Sequence, residues 1–113
     1  MRPESLKLLH DMREAGRRVL EFTRGRTLAD YRSDALLRSA VERQFEIIGE
    51  ALSQLSKIDR ETAEQIPERR GIISFRNILI HSYAAIDETL VWGVVESKLP
   101  EMLRTIDLLL NRG

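Results

Sequence analysis

Four polar side chains with reactive groups interrupt an otherwise apolar run between residues 73 and 87. They are a guanidinium, an amide, an imidazole and a phenol: Arg76, Asn77, His81 and Tyr83. A guanidinium can bind a phosphate through two parallel N–H groups, and an imidazole with a pKa of about 6.5 exchanges protons near neutral pH. These residue types therefore favour acid–base chemistry beside a phosphate.

The spacing of the four side chains limits how they can cooperate. On a helix each residue advances about 100°, so His81 lies about 140° from Arg76. Ser74, Asn77 and His81 share one polar stripe, whereas Tyr83 shares a stripe with Arg76. One helix cannot easily direct Arg76 and His81 at the same phosphate, but two copies of the helix could.

A structural interpretation of the same residues is also open. A buried guanidinium is costly unless it is paired, and no acid lies three or four residues from Arg76 in sequence. A carboxylate from another helix, Glu46 or Glu50, is then the candidate partner. By the same reasoning His81 could be a hydrogen-bonded core residue, and Tyr83 an amphipathic interface residue.

The motif has an arginine followed at once by asparagine, then a histidine five residues after the arginine and a tyrosine two residues later. It resembles the signature of the HEPN superfamily, and within it the HepT toxins of bacterial and archaeal toxin–antitoxin pairs. Similar residues extend from about Asp30 to Leu109, and they include Val41–Leu52, Asp87–Trp92 and the pair Leu99-Pro100. The resemblance implies an all-α bundle of four or five helices. It also implies a homodimer in which two copies of the motif line one cleft.

The resemblance further implies a function, the toxin of a type VII-like toxin–antitoxin system that acts as a metal-independent endoribonuclease. His81 would be the acid and base for attack of a ribose 2′-hydroxyl on the adjacent phosphate, and Arg76 would stabilise charge on the phosphoryl oxygens. Asn77 would orient His81 or contact the RNA. A partner, a minimal nucleotidyltransferase antitoxin, would neutralise the toxin by transferring AMP from ATP to Tyr83.

Length, composition and charge restrict the alternatives. The 113 residues are expected to form one domain over residues 1–113. Cysteine is absent, which removes thiolate chemistry, and no apolar run approaches the roughly 20 residues needed to span a bilayer. We expect a cytoplasmic protein without a membrane partner. Eighteen basic and eighteen acidic residues leave no net charge, so contact with RNA must be local.

Helix is the only regular structure that the sequence supports, because apolar and polar residues nowhere alternate strictly. Two local signals mark helix ends, the break at Gly25 and the capping pair Thr27 and Asp30. The predicted helices are Pro3–Phe22, Ser33 or Asp34 to Ile58, Glu61–Ile66 after an Asp59 cap, the motif helix from Gly71, a helix capped by Asp87, and a last helix. Pro100 either kinks the helix capped by Asp87 or begins the last one.

The longest predicted helix carries two adjacent apolar stripes, which indicates that it is covered on two sides. Gly49 in its middle costs about 1 kcal/mol relative to alanine, so we expect another backbone to approach closely there. Glu42, Glu46 and Glu50 recur every four residues, but the Glu-x-x-His pattern of helical metal sites is absent. We expect a solvated or ion-paired face with Arg43 as a partner, and neither metal nor cofactor.

Two other functions are compatible with these observations. The first is a non-catalytic module whose motif cleft binds a nucleotide or the nucleotidyltransferase, and it predicts binding without RNA cleavage. The second is a purely structural helical dimer. It predicts an internal partner for Arg76 together with a His81 imidazole that is shielded from solvent.

Overall fold

The computed structural model describes residues 1–81 and 86–112, so Tyr83 lies outside the described residues. The helices are α1 (Pro3–Thr23), α2 (Leu28–Ser33), α3 (Ala35–Ile58), α4 (Arg60–Ala63), α5 (Arg69–His81), α6 (Glu88–Gly93), a π-helical turn (Val94–Lys98) and α7 (Leu99–Arg112). The last three elements are continuous and form one rod. In the described ranges the regular structure is entirely helical, which confirms the predicted all-α bundle. None of these helices combines the length and apolar composition needed to cross a membrane.

Several helix ends follow the predicted local signals. The N–H of Asp30 donates to Thr27 Oγ1 at 3.2 Å, while the N–H of Thr27 donates to Asp30 Oδ2 at 2.9 Å. This reciprocal box starts α2. Asp34 and Asp87 cap α3 and α6 with side-chain carboxylates that accept backbone N–H groups from the first turn. Gly25, with φ of 72°, follows α1 in a conformation that favours glycine.

Three predicted boundaries are wrong. The short helix expected over Glu61–Ile66 is α4, which begins one residue earlier, directly after its Asp59 cap, and ends three residues earlier, at Ala63. The motif helix begins at Arg69, two residues before Gly71. Glu68 has φ of 55° immediately before it, and this left-handed residue turns the chain directly into α5.

The hydrophobic core lies where α1, α3 and α7 meet. Each helix contributes one buried stripe: Leu9, Met12, Ala15 and Val19 from α1, Val41, Ile48, Leu52 and Leu55 from α3, and Leu99, Met102, Ile106 and Leu109 from α7. Gly16 gives α7 a close approach to α1, because a Cβ there would lie 2.7 Å from the Leu103 Cδ2 atom. The apolar periodicity of the sequence therefore builds the centre of the bundle.

Helix α5 lies on α3 and runs antiparallel to it. Near the start of α5, Arg69 Nη1 donates to Ser56 Oγ at 3.4 Å, and one and a half turns later the rings of Phe75 and Phe45 meet edge to face at 5.4 Å between centroids. These contacts fix the motif helix against the longest helix of the bundle.

The rod that follows contains a wide turn before Pro100. The N–H of Leu99 donates to the carbonyl of Val94, five residues earlier, and Pro100 is the second residue of α7. Proline has no N–H group to donate and its ring crowds the carbonyl four residues earlier, and the wider turn directly before Pro100 relaxes the regular helical spacing. Pro100 thus lies at the beginning of the last helix, one of the two predicted outcomes.

Candidate functional site

Arg76 lies where α5 crosses α3. Its Nη2 atom donates to Glu50 Oε2 at 2.6 Å, and its Nη1 atom donates to Asn77 Oδ1 at 3.0 Å. The side chain is 26% exposed, and its Nε atom is buried without a hydrogen-bond partner in the described residues. The carboxylate partner predicted from another helix is therefore Glu50.

Gly49 makes this crossing possible. A Cβ added at Gly49 would overlap the Cβ atom of Arg76 and would lie 2.6 Å from its Cγ atom. The Arg76 Cα atom is only 3.5 Å from the same position. The close approach predicted for Gly49 is confirmed, and it occurs at the motif arginine itself.

Glu50 is itself held in place by its own helix. Gln54 Nε2 donates to Glu50 Oε1 at 3.2 Å, while the other carboxylate oxygen accepts from Arg76. A continuous chain of hydrogen bonds thus runs from Gln54 through Glu50 and Arg76 to Asn77. Sequence reasoning did not identify Gln54, since a glutamine four residues after a glutamate carries no distinctive signal.

The row of glutamates on α3 forms a partly ion-paired face, as predicted. Glu46 Oε1 lies 3.4 Å from Arg43 Nη1, and Glu50 pairs with Arg76. Burial raises the pKa of Glu42, and the nearby carboxylate of Glu46 raises it further. This end of α3 therefore concentrates negative charge, which the two arginines offset.

A polar hollow of about 290 Å³ opens between α1, α3 and α5 at the crossing. Three ion pairs line it, Lys7 with Asp11 at 2.8 Å, Arg43 with Glu46 at 3.4 Å, and Arg76 with Glu50 at 2.6 Å. Their charges cancel. Any attraction for a phosphate must come from the directed N–H groups of individual side chains, because the hollow as a whole has no net positive charge.

His81 is the last described residue of α5, and it is exposed. Arg76 and Ile80 line the hollow, and His81 is not among the residues that line it. Arg76 and His81 both belong to the regular helix α5, in which five residues correspond to about 140° of rotation. Arg76 and Asn77 are brought together; Tyr83 lies beyond the described residues. Of the two features that the purely structural alternative predicted, the internal partner of Arg76 is observed, but a shielded imidazole is not.

The other side of α5 borders an apolar groove of about 250 Å³, which the rod closes on its far side. Ile78 from α5 and Leu90 from α6 line this groove, and each is 50% exposed. At one end Lys98 Nζ lies 2.7 Å from Glu68 Oε2, and this hydrogen bond raises the pKa of the lysine. Sequence reasoning missed the groove, because it forms only where α5 and the rod lie side by side.

Comparison with known proteins places these features in a family. Residues 12–109 match the family described as Ribonuclease HepT-like. The chain is 33% identical over 100 residues to "Putative RNase MJ1380" of Methanocaldococcus jannaschii, covering 88% of this chain and 91% of that protein. It is also 33% identical over 94 residues to "Probable ribonuclease HepT" of Thermococcus cleftensis, covering 83% of this chain and 84% of that protein.

A third relative is "Putative RNase TTE0752" of Caldanaerobacter subterraneus, 30% identical over 94 residues, with 83% of each chain covered. No solved structure gives a significant match to the chain. The family match and these relatives agree with the resemblance stated from the sequence and with the all-α bundle. The chain belongs to the Ribonuclease HepT-like family.

Proposed function

We propose that the protein is a cytoplasmic, metal-independent endoribonuclease and the toxin of a toxin–antitoxin pair. The observation that carries the proposal is an exposed His81 on the same helix as a positioned Arg76, in a chain of the Ribonuclease HepT-like family. The names of the relatives, which include ribonuclease, support the same class of reaction.

His81 is assigned the proton transfers. Its imidazole accepts the proton of a ribose 2′-hydroxyl, and the 2′-oxygen then attacks the adjacent phosphorus. The bond from phosphorus to the 5′-oxygen breaks, and the proton passes from the imidazolium to that leaving oxygen. The products are a 2′,3′-cyclic phosphate and a 5′-hydroxyl, which this reaction reaches without a metal ion. The exposure of His81 supports this role, since RNA must reach the imidazole.

Arg76 is assigned the stabilisation of negative charge on the phosphoryl oxygens as the attack proceeds. Its guanidinium is fixed before substrate arrives, because Glu50 and Asn77 each accept one of its hydrogen bonds. Preorganised donors of this kind need little rearrangement during the reaction. Asn77 supports Arg76 in this structure, and it lies on the exposed stripe that also carries His81.

A homodimer completes the proposed site. In one chain Arg76 lines the hollow beside α3 while His81 lies on another side of α5, so a second copy of α5 is needed to place both groups around one phosphate. The half-exposed Ile78 and Leu90, beside the motif helix, supply apolar area for such contact. Two copies of the motif would then line one cleft.

The proposal includes control by modification of Tyr83. A partner nucleotidyltransferase would transfer AMP from ATP to the tyrosine hydroxyl, with release of pyrophosphate. The added phosphate is negatively charged and bulky, so it would repel an RNA phosphate and occupy the cleft. Protein isolated from its native host is expected to carry the mass of an AMP group on Tyr83, and Tyr83→Phe is expected to remain unmodified.

The decisive experiment is cleavage of a mixed RNA pool by purified, unmodified protein in excess chelator. We expect His81→Ala to lower the rate by about 10²–10⁴-fold, as for loss of a general acid–base. Arg76→Ala should lower it by about 10²–10³-fold, as for loss of a charge-stabilising donor. The products of the wild-type reaction should end in a cyclic phosphate.

Two variants serve as matched controls. His10→Ala removes the other histidine, which is exposed on α1, and Arg60→Ala removes an exposed arginine paired with Glu64 on α4. Both should cleave like wild type. Folded wild-type protein that cuts no RNA would refute the nuclease proposal, and tight binding of a nucleotide or of the nucleotidyltransferase would then favour the non-catalytic module.

A further inference from the structure

We propose that Glu50 is a positioning residue for Arg76 and that it fixes the guanidinium in the orientation in which it meets the RNA phosphate. The inference rests on the proposed ribonuclease function and adds to it a residue on another helix, outside the motif. It is drawn from the chain of hydrogen bonds that links Gln54, Glu50, Arg76 and Asn77.

Arg76 has enough N–H groups to bind Glu50 and a phosphate at the same time. A guanidinium has five N–H groups, one on Nε and two on each terminal nitrogen. Glu50 accepts one from Nη2, Asn77 accepts one from Nη1, and Nε is buried. One N–H group is left on each terminal nitrogen, and two such groups can bind a phosphate bidentately. Glu50 can therefore hold Arg76 without taking the place of the substrate.

Consecutive residues of α3 fix the two ends of the Arg76 side chain. The Cβ and Cγ atoms of Arg76 lie so close to Gly49 that a side chain at this position would overlap them. Glu50 accepts a hydrogen bond from the Nη2 atom of Arg76. An arginine side chain has many rotamers, so the contact at Gly49 alone leaves the guanidinium free to turn. Glu50 removes this freedom. Because Gln54 holds the second carboxylate oxygen, the carboxylate itself has a defined orientation.

The negative charge of Glu50 and its hydrogen bond should have opposite effects on RNA. The hydrogen bond orients Arg76, which favours the reaction, while the charge weakens the attraction between Arg76 and a phosphate. Glu50→Gln keeps the length of the side chain and an oxygen acceptor but removes the charge. Glu50→Ala removes both. The two variants therefore separate positioning from electrostatics.

The experiment measures kcat and KM for RNA cleavage, per folded molecule, in wild type, Glu50→Ala, Glu50→Gln and Glu46→Ala. We expect kcat to fall by about 10²-fold in Glu50→Ala, as for a displaced catalytic group. Glu50→Gln should keep kcat close to wild type and lower KM. Glu46→Ala removes a carboxylate from the same hollow one turn earlier, where its partner is Arg43. It should leave kcat unchanged and lower KM no more than Glu50→Gln does.

Binding of a 2′-O-methyl RNA pool, which cannot be cleaved by this reaction, provides a readout independent of catalysis. We expect Glu50→Gln to bind at least as tightly as wild type and Glu50→Ala to bind more weakly. Two results would overturn the inference and leave the nuclease proposal intact. The first is an equal kcat in Glu50→Ala and Glu46→Ala. The second is a kcat in Glu50→Gln that is as low as in Glu50→Ala. If the wild-type protein binds the 2′-O-methyl RNA but does not cleave unmodified RNA, the nuclease proposal fails. The order of RNA affinities among wild type, Glu50→Gln and Glu50→Ala then still decides whether Glu50 positions Arg76.

Discussion

Helix α3 holds its two long neighbours, α1 and α5, in different ways. Towards α1 it presents a continuous apolar stripe, and α1 buries seven of its 21 residues. Towards α5 it presents Phe45, a glycine and a line of polar side chains, and α5 buries only Phe75 and Leu79 among its 13 residues. One contact is dominated by apolar burial, whereas the other is dominated by close approach and directed hydrogen bonds.

The difference separates stability from positioning. Burial of apolar area stabilises a fold but does not specify orientation at the level of single atoms. A hydrogen bond between partly exposed ions contributes little net free energy, yet it fixes geometry. Glu50 and Arg76 are such a pair, with side chains 47% and 26% exposed. We therefore expect α1 and α3 to determine the free energy of unfolding, and the contact with α5 to determine the arrangement of the site.

The largest expected effect on stability is in the apolar contact. Leu52→Ala, at a fully buried position of α3, should lower the free energy of unfolding by about 2–5 kcal/mol because it leaves a cavity. Ile78→Ala, at a half-exposed position of α5, should lower it by less than about 1 kcal/mol. Chemical denaturation at a protein concentration that is held constant measures both. Equal losses would show that α5 contributes as much to the core as α3.

Two glycines test the close approach of α5 to α3. Gly49→Ala should destabilise the protein by about 1–3 kcal/mol, because the added methyl group overlaps Arg76 and the gain in helix propensity is smaller. Gly71→Ala is the matched control in α5, where an added Cβ would meet no atom of residues 1–81 and 86–112 within 4 Å. It should stabilise by up to about 1 kcal/mol. Thermal unfolding of both variants gives the signs, and a Gly49→Ala variant more stable than wild type would contradict the crossing described here.

A smaller effect is expected at the polar link between α1 and the end of α3. Asp59 accepts hydrogen bonds from Ser5 Oγ at 2.7 Å, Thr62 Oγ1 at 2.7 Å and the Thr62 N–H at 3.2 Å. The bond from Ser5, followed by that from the Thr62 hydroxyl, lowers the pKa of the Asp59 carboxyl. Asp59→Ala should therefore cost about 1 kcal/mol at neutral pH, the typical value for a lost N-cap.

The pH dependence of this effect has a defined sign. Because the folded protein lowers the pKa of Asp59, its contribution is fully present above the ordinary value of 3.8 and is lost as pH falls through the lower folded value. The difference in stability between wild type and Asp59→Ala should thus shrink in acid. A difference that stays constant down to pH values well below 3.8 would show that the carboxylate charge is not involved.

The sequence predicted the fold well, because each helix carried a local signal of its own. These signals depend on a few neighbouring residues, and they mark where a helix begins. Examples are the pair Thr27 and Asp30, and Asp34 before a long apolar stripe. The prediction failed by two residues at the start of α5, where Glu68 adopts a left-handed conformation that glutamate rarely takes. Such a conformation depends on the surrounding tertiary structure, so no local pattern indicated it.

The contacts of Arg76 could be predicted only in part from the sequence. The angle between Arg76 and His81 follows from helix geometry, and the structure places them on different sides of α5. The partner of Arg76 could be narrowed to Glu46 or Glu50, but choosing between them required the crossing point of two helices. Gly49 in a helix interior indicated a close approach, although the sequence could not show that Arg76 was the residue approaching.

The π-helical turn in the rod sets the angular phase of α7. Val91, Val95 and Leu99 follow one another every four residues, an interval that would carry a regular helix about 40° further round each time. The wider turn absorbs part of this drift, and all three side chains are buried. A π-helical turn holds one residue more than a regular turn, so deleting one residue between Gly93 and Pro100 would restore a regular turn and leave α7 in nearly the same angular phase. The ring of Pro100 would then meet the carbonyl group four residues earlier, which a regular helix does not accommodate. The length of the chain is thus constrained here inside a helix, in contrast to the usual tolerance of loops to insertions and deletions.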